Sequence, residues 1–460
     1  MVALGSAALG GCAPRREDTA TAPDVATGPA PGIDHIVVVM MENRSFDHFL
    51  GSLGLVEGRA DVDGLAPGMS NADDAGVVYE PAPATVDCLF DPPHGWSSSH
   101  GQFNGGLNDG FVREYAQDGA PEPGEVMAYM TREDLPVTYA LADHYALCTA
   151  YFASVMGPTW PNRFYGHAGS SEGLTGNDLP EALGTTRPTV WQKLDEIGVD
   201  WTYYYTDIPF LVLLPNHDLT THGGFLEDFV DDCADGTLAP VSWLDPGFGM
   251  NDDHPPHHVG MGQEFLSIVY AALAASPLWE RCLLVITYDE HGGFFDHVPP
   301  PTVEDEFAAD GFDQLGFRVP TLVVGPYVKA GAVTEVLDHT SWLKFVCERF
   351  GITPWTTRIA TANSLAVCLD QDRLSRGDPA APADVPLVDF PQETLPDACI
   401  GGGFGPTAPP NAAPDEDASS QPELRRFVRA HCPERDGSSA AEAMLARLRA
   451  RLLRPHAPRP

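Results

Sequence analysis

The stretch IVVVMM at residues 36–41 is a continuous, largely β-branched apolar run that ends at the polar pair Glu42-Asn43. Strands that are covered on both faces of a parallel sheet have this composition, whereas a strand with one face in water alternates apolar and polar residues. The runs LLVIT at 283–287 and TLVV at 321–324 repeat the pattern, and Trp201–Tyr205 is a weaker example. Each run is far shorter than the ~20 apolar residues of a membrane helix, so we predict buried strands.

Segments with helical patterns alternate with these strands. Thr189 and Gln192 have the spacing of a capping box, and the helical pattern that follows ends at Gly198, a residue typical of a helix C-terminus. Residues 341–346 begin a second such segment, which ends at Gly351. Alternating strands and helices predict an α/β fold with a mostly parallel central sheet flanked by helices.

Composition divides the 460 residues into three predicted parts. Residues 1–32 predict an export segment and a flexible tether. Residues 33–375 predict one large folded domain, in which the Gly-, Pro- and Asp-rich residues 51–134 form a loop-rich insertion on the side where the strands end. Residues 376–460 predict a Pro- and Ala-rich linker and then a basic amphipathic helix, with Ser439 and Glu442 in capping-box spacing.

The first twelve residues resemble a bacterial export signal. They end in LGGC, the pattern of a lipoprotein box, in which Cys12 becomes the lipidated first residue of the mature protein. We therefore expect a secreted or envelope-anchored lipoprotein that associates with a membrane through Cys12. The other cysteines are even in number, which permits disulfides in an exported chain without fixing their pairing. Some of them, such as Cys282 beside a predicted strand, are equally typical of small core residues.

The charge of the chain is strongly negative. It has 65 acidic and 26 basic residues, a formal net charge of −39 at pH 7. Such a surface repels the phosphates of nucleic acids, so a nucleic-acid partner is not expected. A phosphorylated substrate would need a local site where a cation reverses the sign of this field. Solubility alone is a second explanation for the acidity.

Acidic side chains follow two of the predicted strands directly. Glu42-Asn43 comes after the first run, and Asp289-Glu290 comes after the run at 283–287. Because ligands bind beyond the carboxyl ends of strands in an open α/β sheet, these side chains converge if the two strands are neighbours. Packed carboxylates are costly unless a cation neutralises them. The pattern therefore predicts a metal site, although either pair alone would be an ordinary loop carboxylate.

Several longer segments match one family in its order. They are MENRSFDH at 41–48, GPTWPNR at 157–163 and TYDEHGGFFDH at 287–297, with shorter stretches at 253–256, 318–320 and 338–341. These segments resemble the bacterial phosphoesterase family, which contains non-specific phospholipases C and a group of acid phosphatases. The resemblance spans roughly residues 33–351. It implies an alkaline-phosphatase-like α/β fold and hydrolysis of a phosphoester.

The resemblance also implies a nucleophile bound to a metal ion. Thr159 occupies the nucleophile position and would attack phosphorus, giving a phosphothreonine that water later hydrolyses. The positions that match the metal ligands are Glu42, Asn43, Asp289 and Glu290, with the Thr159 oxygen completing the set. The chemistry is reasonable, because a threonine hydroxyl is a poor nucleophile at neutral pH and coordination to a cation stabilises its alkoxide.

Other matched positions suggest contacts with the substrate. His254 resembles a family histidine near the scissile phosphate and would protonate the departing oxygen. Asn162, Arg163, His94 and His217 are expected to bind the substrate. For Arg163 a structural salt bridge is an equal explanation, and the match of His217 is loose. The side chains that we expect to orient the ligands are Asp47, His48, Asp296 and His297.

The ligand set bears on the identity of the metal. Carboxylate, amide and alkoxide oxygens suit calcium, magnesium or manganese, whereas zinc, which the related fold often holds, usually recruits nitrogen or sulfur as well. We expect one divalent ion, with calcium, zinc and manganese left open.

Three functions remain open at this point. The threonine at 159 favours a phospholipase C that removes the phosphorylated head group of a phospholipid. An acid phosphatase acting on a small phosphomonoester would use the same metal and nucleophile. A surface binding protein without turnover is the third. Hydrolysis of sulfate esters is disfavoured, because it needs a modified cysteine or serine.

Overall fold

The computed structural model of the protein describes residues 32–85, 89–178, 186–214, 217–248 and 250–390. Cys12, the tether and the predicted C-terminal helix lie outside these residues. Export, lipidation and the division into three parts therefore stay predictions.

The strands of the described chain are short apart from those at the centre of the main sheet. They are β1 (His35–Met41), β2 (Asn71–Ala72), β3 (Val78–Tyr79), β4 (Ala82–Pro83), β5 (Ala128–Tyr129), β6 (Ala146–Cys148), β7 (Tyr151–Phe152), β8 (Trp201–Tyr205), β9 (Gly223–Phe225), β10 (Val241–Asp245), β11 (Cys282–Tyr288), β12 (Leu322–Val324), β13 (Gly331–Val333) and β14 (Leu337–Asp338).

The α-helices of the described chain follow in the same order. They are α1 (Phe46–Leu50), α2 (Ser52–Leu55), α3 (Trp96–Phe103), α4 (Phe111–Gln117), α5 (Pro136–His144), α6 (Thr159–Ala168), α7 (Val190–Ile197), α8 (Leu219–His222), α9 (Leu226–Asp235), α10 (Val259–Ala274), α11 (Thr340–Phe350), α12 (Thr357–Thr361) and α13 (Gln371–Arg376). None of these helices has the length and hydropathy needed to span a membrane.

The main sheet has eight strands in the order β13-β6-β12-β11-β1-β10-β8-β9. The five strands from β11 to β9 are parallel to one another. The predicted α/β fold with a mostly parallel sheet is therefore confirmed. β12 is antiparallel to both of its neighbours. The chain stays at the carboxyl edge of the sheet after β11 and enters β12 from that edge, so β12 runs the other way.

Local predictions for the helices also hold. The Thr189 side chain accepts a hydrogen bond from the Gln192 backbone N–H, and the Gln192 side chain completes the capping box at the start of α7. α7 and α11 end at Gly198 and Gly351, both at φ 70°. α6 packs beside α11, where the Trp342 indole donates to the Gly166 carbonyl at 2.9 Å. This packing fixes the helix that begins at Thr159.

The five cysteines of the described chain are buried and carry free thiols: Cys148, Cys233, Cys282, Cys347 and Cys368. Cys282 is the first residue of β11 and packs in the core, in agreement with the alternative that it is a small core residue. The remaining cysteines, Cys12, Cys88, Cys399 and Cys432, lie outside the described residues, so disulfides in an exported chain stay a prediction.

Candidate active site

The predicted ligands converge at the carboxyl edge of the sheet because β1 and β11 are neighbours. The two strands pair in register from His35 with Cys282 to Met41 with Tyr288. The Asn43 backbone N–H donates to Asp289 Oδ1 at 3.1 Å. All four side chains, Glu42, Asn43, Asp289 and Glu290, are fully buried.

A tight turn gives this edge its shape. Asn43 has φ 59°, in the left-handed region that asparagine tolerates better than most residues. Gly292 lies against this turn at φ 64°, and a Cβ there would overlap the Asn43 carbonyl oxygen. The Gly292 N–H donates to Glu290 Oε2 at 2.7 Å. The glycine therefore lets the two ligand loops pack directly on each other.

Helix α6 brings Thr159 to the same edge. Thr159 is the first residue of this helix and is 2% exposed. Arg163 lies one turn further on the same helix face, since residues four apart face the same side. Its guanidinium contacts Glu42 at 3.4 Å and Asp289 at 3.0 Å. The helix face that carries Thr159 is thus turned toward the carboxylates.

Arg163 is an internal counter-ion. It is fully buried, and besides Glu42 and Asp289 it contacts Asp245 Oδ1 at 3.3 Å. Burial acts to lower the pKa of Arg163, but Asp289, Glu42 and Asp245 outweigh burial and raise it. With its nitrogens engaged by protein oxygens, the residue has the structural salt bridge that was the alternative to substrate binding.

Asn162 is tied to the loop that precedes Thr159. Its Oδ1 accepts from the Val155 N–H at 3.0 Å, and its Nδ2 donates to the carbonyls of Gly157 and Pro158 at 2.9 and 3.0 Å. These bonds shape the nucleophile loop. They give Asn162 a positioning role where we expected contact with the substrate.

The carboxylates at this edge outnumber their positive partners. Burial raises the pKa of Glu42 well above its usual range and that of Asp289 to about 7. Burial acts in the same direction on Glu290, but His94 and His291 outweigh it and leave the pKa of Glu290 below its usual range. Asn43 Oδ1 and Glu290 Oε1 are buried without a hydrogen-bond partner. Orphaned oxygens among excess carboxylates fit a divalent cation.

A second group with ligand character adjoins the first. Asp91, His94 and His254 each offer one ligand atom, and these atoms lie within 4.8 Å of one another. His94 Nε2 is 3.9 Å from Glu290 Oε1, which joins the two groups. The rings of His94 and His254 donate from Nδ1 to the carbonyls of Pro92 and Pro255 at 2.7 and 2.5 Å. Nε2 is therefore the reactive nitrogen of both, able to hold a divalent metal or to face a phosphoryl group.

The loop that carries His254 is held from two sides. Asp252 Oδ1 accepts from the His254 N–H at 3.0 Å and from His257 Nδ1 at 2.6 Å. Arg44 Nε donates to the Asp253 carbonyl at 2.7 Å. Burial lowers the pKa of His254 to about 4. The imidazole is therefore neutral at pH 7, although Asp91 Oδ2 lies 3.9 Å from its Nε2.

The structure does not bring His217 to this group. Its Nε2 lies 3.1 Å from Thr189 Oγ1, and its ring is 6.1 Å from the Trp201 ring. Trp201 is the first residue of β8, which is parallel to β10 and so, through β10, to β1. His217 is thus at the amino edge of the sheet, opposite the site, and the loose match had placed it wrongly.

The residues expected to orient the ligands form a separate buried network. Asp47 and Asp296 pair with Arg318, and His297 Nδ1 lies 2.6 Å from Asp47 Oδ2. His48 Nε2 lies instead 3.0 Å from Arg44 Nη1. These side chains hold the loops after β1 and β11 together.

Two site residues were missed. Asp245 is the last residue of β10, so the rule that placed Glu42 would have found it if VSWLD had been identified as a strand. Asp91 is three residues before His94 in a segment without periodicity, and this spacing was its only signal.

Comparison with known proteins identifies the family. A family model described as the phosphoesterase family matches residues 33–353. Phospholipase C B of Mycobacterium tuberculosis is 32% identical over 397 residues, covering 71% of this chain and 75% of that protein. Non-specific phospholipase C1 of Arabidopsis thaliana is 37% identical over 336 residues, covering 65% and 62%.

Likeness to solved structures is weak. A protein in the alkaline phosphatase superfamily from Vibrio parahaemolyticus is 11% identical, covers 75% of this chain and 72% of its own, and has a TM-score of 0.36. That score is too low to inform the site. The family match spans most of the chain and includes every predicted ligand, from Glu42 to Glu290. The chain belongs to the phosphoesterase family.

Proposed function

We propose that the protein is a phospholipase C that hydrolyses a phosphodiester through a phosphothreonine on Thr159. The observation that carries the proposal is the excess of buried carboxylate at the helix face of Thr159, where Asn43 Oδ1 and Glu290 Oε1 have no hydrogen-bond partner. A protein that only bound its ligand would have little use for a costly cluster of buried carboxylates. Relatives that are named phospholipase C support the same chemistry.

The residues divide the work as follows. Glu42, Asn43, Asp289 and Glu290 would hold one divalent ion, which when bound favours the alkoxide of Thr159 and offsets charge on the phosphoryl oxygens. Asn162 holds the loop that precedes Thr159, and the Thr159 oxygen would attack phosphorus. Attack forms the bond from the Thr159 oxygen to phosphorus and breaks the bond to the leaving alcohol.

We assign His254 to the oxygen that leaves and His94 to the oxygens that remain on phosphorus. An anionic phosphoryl group beside His254 raises its pKa from about 4, so that Nε2 can carry a proton to the leaving oxygen. In the second half of the reaction the same nitrogen would take a proton from water. His94 Nε2, beside Asn43 Nδ2 at 3.2 Å, faces the same space. Its neighbour Asn43 offers a donor to a phosphoryl oxygen.

Charge favours a diester over a monoester. Arg163 is fully engaged by carboxylates, and the His254 ring is neutral without substrate. A phosphodiester carries one negative charge where a monoester near neutral pH carries close to two. The less charged substrate suits a site in which four carboxylates already offset the charges of one divalent ion and Arg163. Phosphomonoester hydrolysis is the second candidate.

Metal number and location are part of the proposal. We propose one ion at the oxygen ligands, with the Asp91, His94 and His254 group facing substrate. Two tightly bound ions per chain would contradict this assignment. We also propose a secreted or envelope-anchored protein, lipidated at Cys12, whose substrate is a phospholipid.

The test compares a phosphodiester and a phosphomonoester reporter, with and without chelator. We expect metal-dependent turnover that favours the diester. Thr159→Ala should lower kcat on the order of 10⁴-fold, because the nucleophile is lost. Thr159→Ser, which keeps a hydroxyl, should retain measurable activity. Activity in Thr159→Ala equal to wild type would exclude the mechanism.

The other outcomes choose among the alternatives. Preference for the monoester would make the protein a phosphatase. No turnover by folded protein supplied with several divalent metals would favour a binding role.

A further inference from the structure

A half-buried aromatic surface lies beside the nucleophile loop. It consists of Trp96, Phe307 and Phe312. The Trp96 and Phe312 ring centroids are 4.9 Å apart, and those of Phe307 and Phe312 are 6.1 Å apart. Phe312 is buried, whereas Trp96 and Phe307 keep part of their surface exposed. The three rings form a small apolar cluster with Val155 and Tyr165, apart from the main core.

Trp96 joins this surface to the reactive groups. It is two residues after His94, whose Nε2 faces Asn43 and Glu290. On its other side it contacts the nucleophile loop, because a Cβ on Gly157 would lie only 3.1 Å from the Trp96 ring. Gly157 is two residues before Thr159. The indole is therefore within a few residues of both the histidine and the nucleophile.

The outer part of the surface is held in place from below. Asp305 is buried, and its two oxygens accept from Tyr165 OH at 2.8 Å and from the Phe307 N–H at 2.7 Å. Arg358 donates to the Phe312 carbonyl. Because Tyr165 belongs to α6, these bonds fix the aromatic segment to the helix that begins with Thr159. The surface is thus formed before any substrate arrives.

The positive charge beside the surface is already paired. The Arg187 guanidinium lies 5.8 Å from the Phe307 ring centroid and contacts Glu306 at 3.6 Å and Glu172 at 3.9 Å. The rings themselves carry no charge and offer contact area to an uncharged apolar group. Exposed aromatic carbon beside a reaction centre is also best covered by apolar atoms.

We propose that Trp96, with Phe307, binds the apolar acylglycerol part of the substrate and sets the preference for lipid over small phosphodiesters. The proposal rests on the proposed function, because it assigns the alcohol side of the same ester. In this proposal Trp96 contacts only the alcohol group of the ester, and Thr159 and the metal ligands carry out the chemistry.

The test compares dihexanoylphosphatidylcholine, as monomers, with glycerophosphocholine, which has no acyl chains. In Trp96→Ala we expect kcat/KM for dihexanoylphosphatidylcholine to fall about tenfold more than kcat/KM for glycerophosphocholine, because one aromatic contact with the acyl part is lost. The fall should come mainly from a higher KM. Trp96→Phe, which keeps an apolar ring, should recover most of the difference. The control is Trp355→Phe, a half-buried tryptophan whose indole donates to Ala168 at the far end of α6. It should affect both substrates equally.

A binding measurement separates this proposal from the proposed function. In a Thr159→Ala background, calorimetry should show that Trp96→Ala weakens binding of dihexanoylphosphatidylcholine about tenfold more than binding of glycerophosphocholine. Equal losses for both ligands would overturn the proposal, whatever the turnover. A selective loss of binding with no turnover in wild type would support the surface and reject the phospholipase activity.

Discussion

Two arginines, Arg163 and Arg318, are fully buried near the carboxyl edge of the sheet, and both are surrounded by carboxylates from different loops. Arg318 contacts Asp296 at 2.9 Å and Asp47 at 3.1 Å. Arg163 contacts Asp289 at 3.0 Å, with Asp245 and Glu42 at 3.3 and 3.4 Å. In outline the two groups look alike.

Their charge balance is different. Around Arg318 two buried carboxylates, Asp47 and Asp296, face Arg318 and His297, whose pKa is raised to about 9, and the exposed Asp63 lies 3.2 Å from His297 Nε2. Every oxygen of Asp47 and Asp296 accepts a hydrogen bond. The Arg318 group is a closed structural network.

Around Arg163 the negative groups outnumber the positive ones. Glu42, Asp245, Asp289 and the adjoining Glu290 are four carboxylates for one guanidinium. The excess shows in Glu290 Oε1, a buried oxygen without a hydrogen-bond partner. Burial raises a carboxyl pKa in both groups, to about 7 for Asp289 and to about 6 for Asp296. A balanced group joins loops, whereas an unbalanced one attracts a cation.

The strongest way to break this comparison is to remove one carboxylate from each group. Glu290→Gln keeps the shape of the side chain but removes a ligand charge, so we expect loss of bound metal and a fall in kcat on the order of 10³-fold. Asp296→Asn should keep the metal and most of the activity. Metal content by mass spectrometry and turnover of a diester measure both. Equal metal and equal activity in the two variants would contradict the distinction.

A second test removes the arginine of the closed group. Arg318→Met leaves Asp47 and Asp296 buried without their partner, and we expect a loss of about 3 kcal/mol in the free energy of unfolding. Arg281→Met is the matched control, since Arg281 pairs with Asp34 at the surface, and it should cost less than about 1 kcal/mol. Urea unfolding gives both values. A small effect in Arg318→Met would show that the closed group contributes little to stability.

The sequence predicted that carboxylates of the Arg163 group lie together, but it did not predict every member of the group. The apolar runs before Glu42 and Asp289 identified strands, and the parallel-strand rule then placed their carboxylates together. Asp245 escaped because β10 mixes polar and apolar residues, although its side chains are buried. Arg163 could not be assigned, since a motif position is the same for an ion pair and for a ligand contact.

Contacts over long sequence distances were the least predictable. Asp91 and Trp96 belong to a segment without periodicity, and only folding brings Asp91 near His254 and Trp96 against Gly157. The prediction for His217 had a different weakness, because a loose motif match was taken as evidence that the residue lies at the site. A strand pattern predicts an edge of a sheet, but not which distant loop covers that edge.

The smallest expected effect sharpens the comparison through pH. Burial acts to lower the pKa of His297, but the hydrogen bond with Asp47 and the charges of Asp47 and Asp296 together outweigh burial and raise the pKa from 6.5 to about 9. The charged groups that face it are Asp47, Asp63, Asp296 and Arg318. A pKa raised on folding contributes stability that is complete below about pH 6.5 and is lost as the pH rises through about 9.

We therefore expect the free energy of unfolding of wild type to fall by roughly 2 kcal/mol more than that of His297→Gln between pH 6 and pH 10. The difference between the two proteins removes the titrations they share, including those of the metal ligands. Urea unfolding at several pH values, with chelator present throughout, gives the two slopes. Parallel slopes would mean that His297 is neutral in the folded protein. The Arg318 group would then hold two carboxylates against one cation, and the contrast with the Arg163 group would be one of degree.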